Sequence, residues 1–289
     1  MNLINLLTQG VLLGGLFAMA ALGLSLAFGV LKVVNLAHGD LMTLGAYLAF
    51  LTISFSGLSL WLSFLVVLPG LALVGYWVQK VLLQRALKMG ELAPLLVTFG
   101  LAVMIPNSLV ELFSSNKQQL PVGPLAVASV SFGDITVGLL PLLTLVVAVV
   151  LIAAVQLFLK RTKMGQFMRA AADDYSTLRL MGVDHKKTYA WAMALAFAIA
   201  AIAGILFGAR QGGVTPFDGQ LTVLFAFEAV VIGGLGSLWG TLIGGIVLGV
   251  AQVLAGQFGP ELPLLVGHLV FLLVLVLRPQ GIISKKRGN

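Results

Sequence analysis

The apolar positions of this chain fall in long unbroken runs, not in alternation. Residues 139–159, LLPLLTLVVAVVLIAAVQLFL, carry only Thr144 and Gln156 as polar side chains. A membrane strand needs about 10 residues of alternating polarity and a membrane helix about 20 mainly apolar ones, so the pattern predicts helices. Nine such segments follow one another: 8–31, 40–56, 60–79, 93–113, 137–159, 188–209, 221–236, 238–257 and 262–277. The expected fold class is all-α, a polytopic integral membrane helical bundle with eight to nine apolar segments. At least one hairpin is expected to be broken or re-entrant. Segment 221–236 is short, contains Glu228 and runs into Gly233-Gly234-Leu235-Gly236-Ser237-Leu238-Trp239-Gly240, a turn without a basic residue. Such backbone is tolerated at membrane depth only where protein or a water-filled cavity shelters it. Around Asn35 and His38 two readings stay open, a second break or a cytoplasmic turn at Lys32.

Composition agrees with the pattern. Of 289 residues, 60% are hydrophobic and 9% charged, against about 25% charged in a soluble protein. Disorder is excluded because no polar low-complexity run occurs, and collagen because the 34 glycines have no three-residue period. Nine spans leave no room for a soluble catalytic domain. The absence of cysteine removes disulfides and thiolate metal sites. Ala18-Met19-Ala20 has the spacing of a signal-peptide cleavage site, but no Lys or Arg precedes it, and the segment reads as a spanning helix.

The net charge is +7. With the N-terminus outside and the segments alternating, fifteen of the seventeen Lys and Arg lie on the cytoplasmic side, Lys117 and Arg210 being the exceptions. The positive-inside rule therefore predicts this orientation, with a cytoplasmic C-terminus. Small residues recur at four-residue spacing in Ala196-Ala200-Gly204-Gly208, Gly240-Gly244 and Gly245-Gly249. Such stripes let helix backbones approach closely, within the bundle or at a subunit interface.

The longest cytoplasmic loop, 160–187, reads KRTKMGQFMRAAADDYSTLRLMGVDHKK. Phe167, Ala170, Ala171, Leu178 and Met181 form one apolar face of a short helix, with Arg169, Asp173, Asp174 and Arg179 on its polar sides. Gly182 is placed to end it as the C′ residue. A rigid amphipathic helix held between two spans suits a docking element for a cytoplasmic protein.

The stretch Gly10–Tyr47, with Asn35-Leu36-Ala37-His38-Gly39 and Gly45-Ala46-Tyr47, resembles the opening of LivH-type permease subunits of branched-chain amino acid ABC importers. The resemblance continues through Gly165–Gly182 and through GGLGSLWGTLIGG at 233–245, and so covers nearly the whole chain. It implies that residues 1–289 form a single permease domain of a bacterial inner (plasma) membrane. Within it, 165–182 would be the ATPase-coupling helix, carried by Gly165, Phe167, Arg169, Ala170, Ala171, Asp173, Asp174, Leu178, Arg179, Met181 and Gly182. One departure is the missing glutamate of the general importer EAA pattern; the chain reads Arg169-Ala170-Ala171-Ala172-Asp173-Asp174. The resemblance also implies a second related permease subunit, two cytoplasmic ATPases that bind ATP and Mg, and an extracytoplasmic solute-binding protein. Loops 114–134 and 210–220 would meet the last, with Arg210, Asp218, Lys117 and Asp134 as candidate contacts. Expected solutes are branched-chain or related amino acids, with urea and short amides as alternatives.

No catalytic constellation accompanies these features. His38, His185 and His268 lie in different segments without carboxylates at ligand spacing, and no GxxxxGK[ST] phosphate loop occurs. No enzyme activity, metal or cofactor of this chain's own is expected. Candidate pathway or gate residues are Asn35, His38, Glu228, Gly233, Gly234 and Gly236. Glu228 is the sharpest, because an ionisable side chain in a span costs about 2.5–3.5 kcal/mol unless paired or hydrated. Asn35 and His38 equally suit a cap at the turn, and Glu228 an internal hydrogen bond. Asn107 beside Pro106 is placed to satisfy carbonyls freed by the proline. His268 and Gln252 suit interhelical hydrogen bonds. A proton-coupled secondary carrier or channel is the competing function class, with Glu228, His268 and Glu111 as its ionisable groups.

Overall fold

The computed structural model describes residues 3–90, 92–133, 135–173 and 182–283. Long apolar runs become helices because a backbone in hydrocarbon must satisfy its hydrogen bonds within the segment. The helices are α1 (Leu3–Leu31), α2 (His38–Ser56), α3 (Leu60–Ala86, π-helical over Val78–Leu83), α4 (Leu92–Phe113) and α5 (Leu139–Arg161). They continue with α6 (Lys163–Asp173), α7 (His185–Gln211), α8 (Asp218–Gly233), α9 (Leu238–Ala255) and α10 (Leu262–Leu277). Seven have the length and composition of a full crossing. The other two apolar helices, α8 and α10, have 16 residues each, about 24 Å against a hydrocarbon core of about 30 Å. The chain is a multi-pass membrane protein. An antiparallel hairpin of β1 (Ser129–Phe132) and β2 (Ile135–Gly138) in the α4–α5 loop is an addition to the all-helical expectation.

α1 and α7 form the centre of the bundle. Their most apolar windows are 83% and 78% buried, against 22% for each of α3, α4 and α5, which turn most of their surface outward. Both central helices are rich in Gly and Ala, so neighbours can pack around them without meeting bulky side chains. A Cβ at Gly14 would overlap the backbone of Ile246 on α9, and one at Gly204 would overlap the Met42 carbonyl of α2. Gly244 and Gly249 are likewise buried against α8 and α1, and Gly208 against the Leu120 side chain. The small-residue stripes thus serve packing within this chain.

One end of the bundle is basic: α1, α3 and α5 end there and α7 begins, at Lys32, Arg85 and Lys88, Lys160 and Arg161, and Lys186 and Lys187. At the opposite end, loops 114–122 and 212–217 are joined by paired hydrogen bonds, Gln118 N to Val214 O (2.9 Å) and Val214 N to Gln118 O (2.8 Å).

Candidate functional site

α2 does not begin at the membrane surface. α1 ends at Lys32, which takes the left-handed conformation (φ 58°) that allows a sharp reversal. Residues 32–37 then run back along α1. Asn35 Oδ1 accepts from Ala37 N (3.1 Å), Asn35 O accepts from His38 N (3.2 Å), and His38 Nε2 donates to Ala20 O (2.8 Å). Ala20 lies eleven residues before Leu31, about 16 Å along a helix, so α2 starts deep inside the bundle. The structure combines the two readings left open by the sequence, a turn at Lys32 and a non-helical break over 32–37 before α2.

α8 also starts inside. Asp218 organises its entry by accepting from Thr215 N (2.8 Å) and Thr215 Oγ1 (2.6 Å). The first turns of α2 and α8 meet where Gly39 and Gly219 touch, with no space for a Cβ on either. Two helix N-termini, each bearing partial positive charge, therefore converge within the bundle, each with an aspartate in its first turn: Asp40 and Asp218. Asp40 is 2% exposed, packs on Gly219, and its Oδ1 has no hydrogen-bond partner among the described residues. The hydroxyl of buried Tyr47, two turns further along α2, is also without a partner among the described residues. Chemically, this junction offers the positive ends of two helices to a carboxylate and an acidic oxygen to an ammonium.

Sequence reasoning missed Asp40, which opens the apolar segment 40–56 and was not weighed as a site residue. The usable signal is its position at the start of an apolar segment, where an acidic residue marks a helix N-terminus.

The six expected pathway residues separate into three places. Asn35 and His38 build the α2 entry. Glu228, buried on α8, pairs its Oε1 with His268 Nδ1 on α10, while Oε2 has no partner among the described residues. Gly233, Gly234 and Gly236 form the turn between α8 and α9 at the basic end, against Gly29 of α1 and the segment after α10. There Ile282 N donates to Ile232 O (2.9 Å) and Ile283 N to Gly233 O (3.1 Å). Positive φ at Gly234 (107°) and Gly236 (79°) makes the turn.

Three other expectations are adjusted. Gln252 faces Gly267 of α10, but its Nε2 makes no hydrogen bond among the described residues. Asn107 Nδ2 donates to Val103 O (2.7 Å), one carbonyl beyond that of Ala102, which Pro106 leaves unpaired. Among the loop charges, Arg210 is part-buried in the last turn of α7 and donates to Leu12 O of α1 (3.3 Å), and Asp218 is the cap described above. Neither is a free surface contact. Lys117 remains at the surface, donating to Gln211 O (2.5 Å), and Asp134 lies outside the described residues.

At the basic end α6 folds back from α5. Thr162 turns the chain: its carbonyl accepts from Gln166 N (2.9 Å) and its Oγ1 from Gly165 N (3.0 Å). Gly165 sits directly on the last turn of α5 at Phe158 and Leu159, where a Cβ would not fit. The buried face is Gly165, Met168 and Ala171; Phe167 is half-buried and Ala170 exposed, a correction to the face expected from Phe167 and Ala170. The reason is the glycine contact, which rotates α6 by about one position. Arg169 and Asp173, one helical turn apart, are both exposed. Asp173 faces a basin of about 1100 Å³ rimmed by Lys32, Lys88 and Lys186. Asp174, Leu178, Arg179 and Met181 lie outside the described residues, and Gly182 has the left-handed φ (75°) of a terminating residue.

Comparison with known proteins bears on this arrangement. The model of a family described as branched-chain amino acid transport system / permease component matches residues 6–277. The chain is 28% identical to the high-affinity branched-chain amino acid transport system permease protein BraD of Pseudomonas aeruginosa, over 96% of this chain and 95% of BraD. It is 27% identical to the corresponding LivH permease protein of Escherichia coli, over 96% and 94%. A shorter similarity, 32% over 45% of this chain and 30% of the relative, links it to the E. coli permease protein LivM. No solved structure matches the chain.

Proposed function

Because the chain belongs to the branched-chain amino acid transport permease family, we propose that it is the membrane-spanning subunit of an ABC importer for branched-chain or related amino acids. The observation that carries the reading is the extent of the family match, nearly end to end, in a chain whose relatives are named permease proteins. On this reading the chain lies in the bacterial plasma membrane with its basic end, α6 and C-terminus in the cytoplasm. Hydrolysis of ATP, with Mg, belongs to two separate ATPase subunits, and the segment 165–182 rides on them. A second permease subunit of the same family completes the path, and an extracytoplasmic solute-binding protein docks on loops 114–122 and 212–217.

The junction of α2 and α8 is the proposed solute path. Asn35 and His38 fix its geometry, and Asp40 with the two helix N-termini supplies both signs of charge that a zwitterion needs. Movement of α6 reaches the junction through α5 and α7, which flank it in the chain.

The exposed face of α6 provides the test. Ala170→Glu combined with Asp173→Lys, co-expressed with the ATPases and binding protein, should leave membrane insertion and ATP hydrolysis intact while cutting uptake by about tenfold, a coupling loss of about 1.4 kcal/mol. Unaltered uptake overturns the role of α6. The Glu228–His268 pair favours one competing reading, a proton-coupled carrier. Accumulation of solute by the chain alone under a proton gradient would establish that reading instead.

A further inference from the structure

We propose that the pocket between the basic ends of α1, α5, α6 and the start of α9 binds the phosphate of an anionic membrane phospholipid, gripped by Lys160 and Arg169 with buried Ser25 on its wall. The pocket has a volume of about 420 Å³, within the range of small-molecule sites. Among the described residues its lining contains two cations and no acidic residue. Both cations are exposed, and neither pairs with a carboxylate among the described residues.

Ser25 is the observation that points to a ligand. It is fully buried, lines the pocket, and its Oγ has no partner among the described residues. Helical hydroxyls ordinarily donate back to the carbonyl four residues earlier. Thr8, Thr52, Thr144 and Thr222 of this chain all do so. Ser25 does not, which leaves its buried hydroxyl unpaired among the described residues at the pocket wall. Opposite lies the N-terminus of α9. Ser237 Oγ there takes Gly240 N (3.1 Å), and Leu238 and Trp239, first-turn residues whose N–H groups have no intrahelical partner, line the same pocket. Two cations, a free hydroxyl and a helix N-terminus make a phosphate site.

The surroundings favour a lipid over free phosphate. Trp239, 42% exposed, lines the pocket, and Leu157, 57% exposed, stands one turn from Lys160. Tryptophan and basic residues together mark the headgroup level of a bilayer. Apolar Leu26, Leu159 and Ile283 complete the wall, suited to the first methylenes of an acyl chain. A lipid held there would tie α6 to the α8–α9 turn, whether or not α6 docks an ATPase.

The test uses the full chain in nanodiscs of phosphatidylcholine containing a minority of phosphatidylglycerol, with bound lipid counted by native mass spectrometry. Thermal unfolding in detergent is followed in parallel with short-chain phosphatidylglycerol, short-chain phosphatidylcholine or inorganic phosphate. One phosphatidylglycerol should be retained, and only the anionic lipid should raise the melting temperature. Lys160→Gln and Ser25→Val should each weaken retention, the former about tenfold, while Lys163→Gln, a cation of α6 outside the pocket, should not. Equal retention of phosphatidylcholine, or equal loss in Lys163→Gln, overturns the site. Equal protection by inorganic phosphate overturns the lipid as its source. Should Ser25→Val fail to fold, Lys160→Gln against Lys163→Gln decides alone.

Discussion

Glu228 and His268 lie forty residues apart in the chain and touch across two helices. The carboxylate side chain is 2% exposed and the imidazole 32%, so the pair is shielded on one side and wetted on the other. A hydrogen bond to a charged group contributes about 1.5–3 kcal/mol. Glu228→Ala should therefore lower stability by about that amount, read as a fall in melting temperature in detergent. Glu228→Gln, which keeps an acceptor of the same reach, should stay within about 1 kcal/mol. It should also retain uptake, if the pair is a tie between α8 and α10. Slow uptake with an unchanged melting temperature would instead place Glu228 on the solute path. The sequence exposed Glu228 because one carboxylate in an apolar run is conspicuous. It hid Asp40 because that residue sits at the edge of a run, and only the fold reveals that this edge is at mid-depth.

Helices here are held by surfaces without side chains, and that has a measurable consequence. Lipid gives no hydrophobic drive for helix association, so close backbone contact and dispersion carry it. Gly204 is buried where α7 meets the Met42 carbonyl of α2, whereas Gly100 on α4 is exposed with nothing near it. Gly204→Val should cost about 3 kcal/mol, the upper end of overpacking, and reduce folded yield. Gly100→Ala should be neutral or stabilising by about 0.5–1 kcal/mol through helix propensity. Size-exclusion profiles and melting curves of the two variants check this, and equal behaviour would refute the packing argument. All nine apolar segments were legible because hydropathy is a local property. Their depths were not. That α2 begins beside Ala20 depends on a hydrogen bond spanning eighteen residues, and no periodicity encodes it. The face of α6 was misplaced for a related reason, since Gly165 buries itself by contact with α5 and not by its own apolarity.

Across the whole molecule, the charge asymmetry predicts an orientation that can be checked without touching the core. Lys32, Lys88 and Lys186 come together at the basic end, while Asn116 and Gln118 lie at the other, beside the paired loops. Moving so many cations across a bilayer during insertion is far costlier than moving two, so the basic end should remain cytoplasmic. The natural chain has no cysteine, and single-cysteine variants therefore report their own sites without background. Asn116→Cys should react with a membrane-impermeant maleimide in intact cells. Lys88→Cys, on the exposed turn after α3, should react only after permeabilisation. The opposite pattern would invert the protein. It would place α6 outside the cell, away from any ATP-driven motor, and would thereby exclude the importer reading and the cytoplasmic lipid site together. Labelling of both positions from outside would instead break the bundle's two-sidedness, requiring Leu92–Phe113, the helix between them, not to cross.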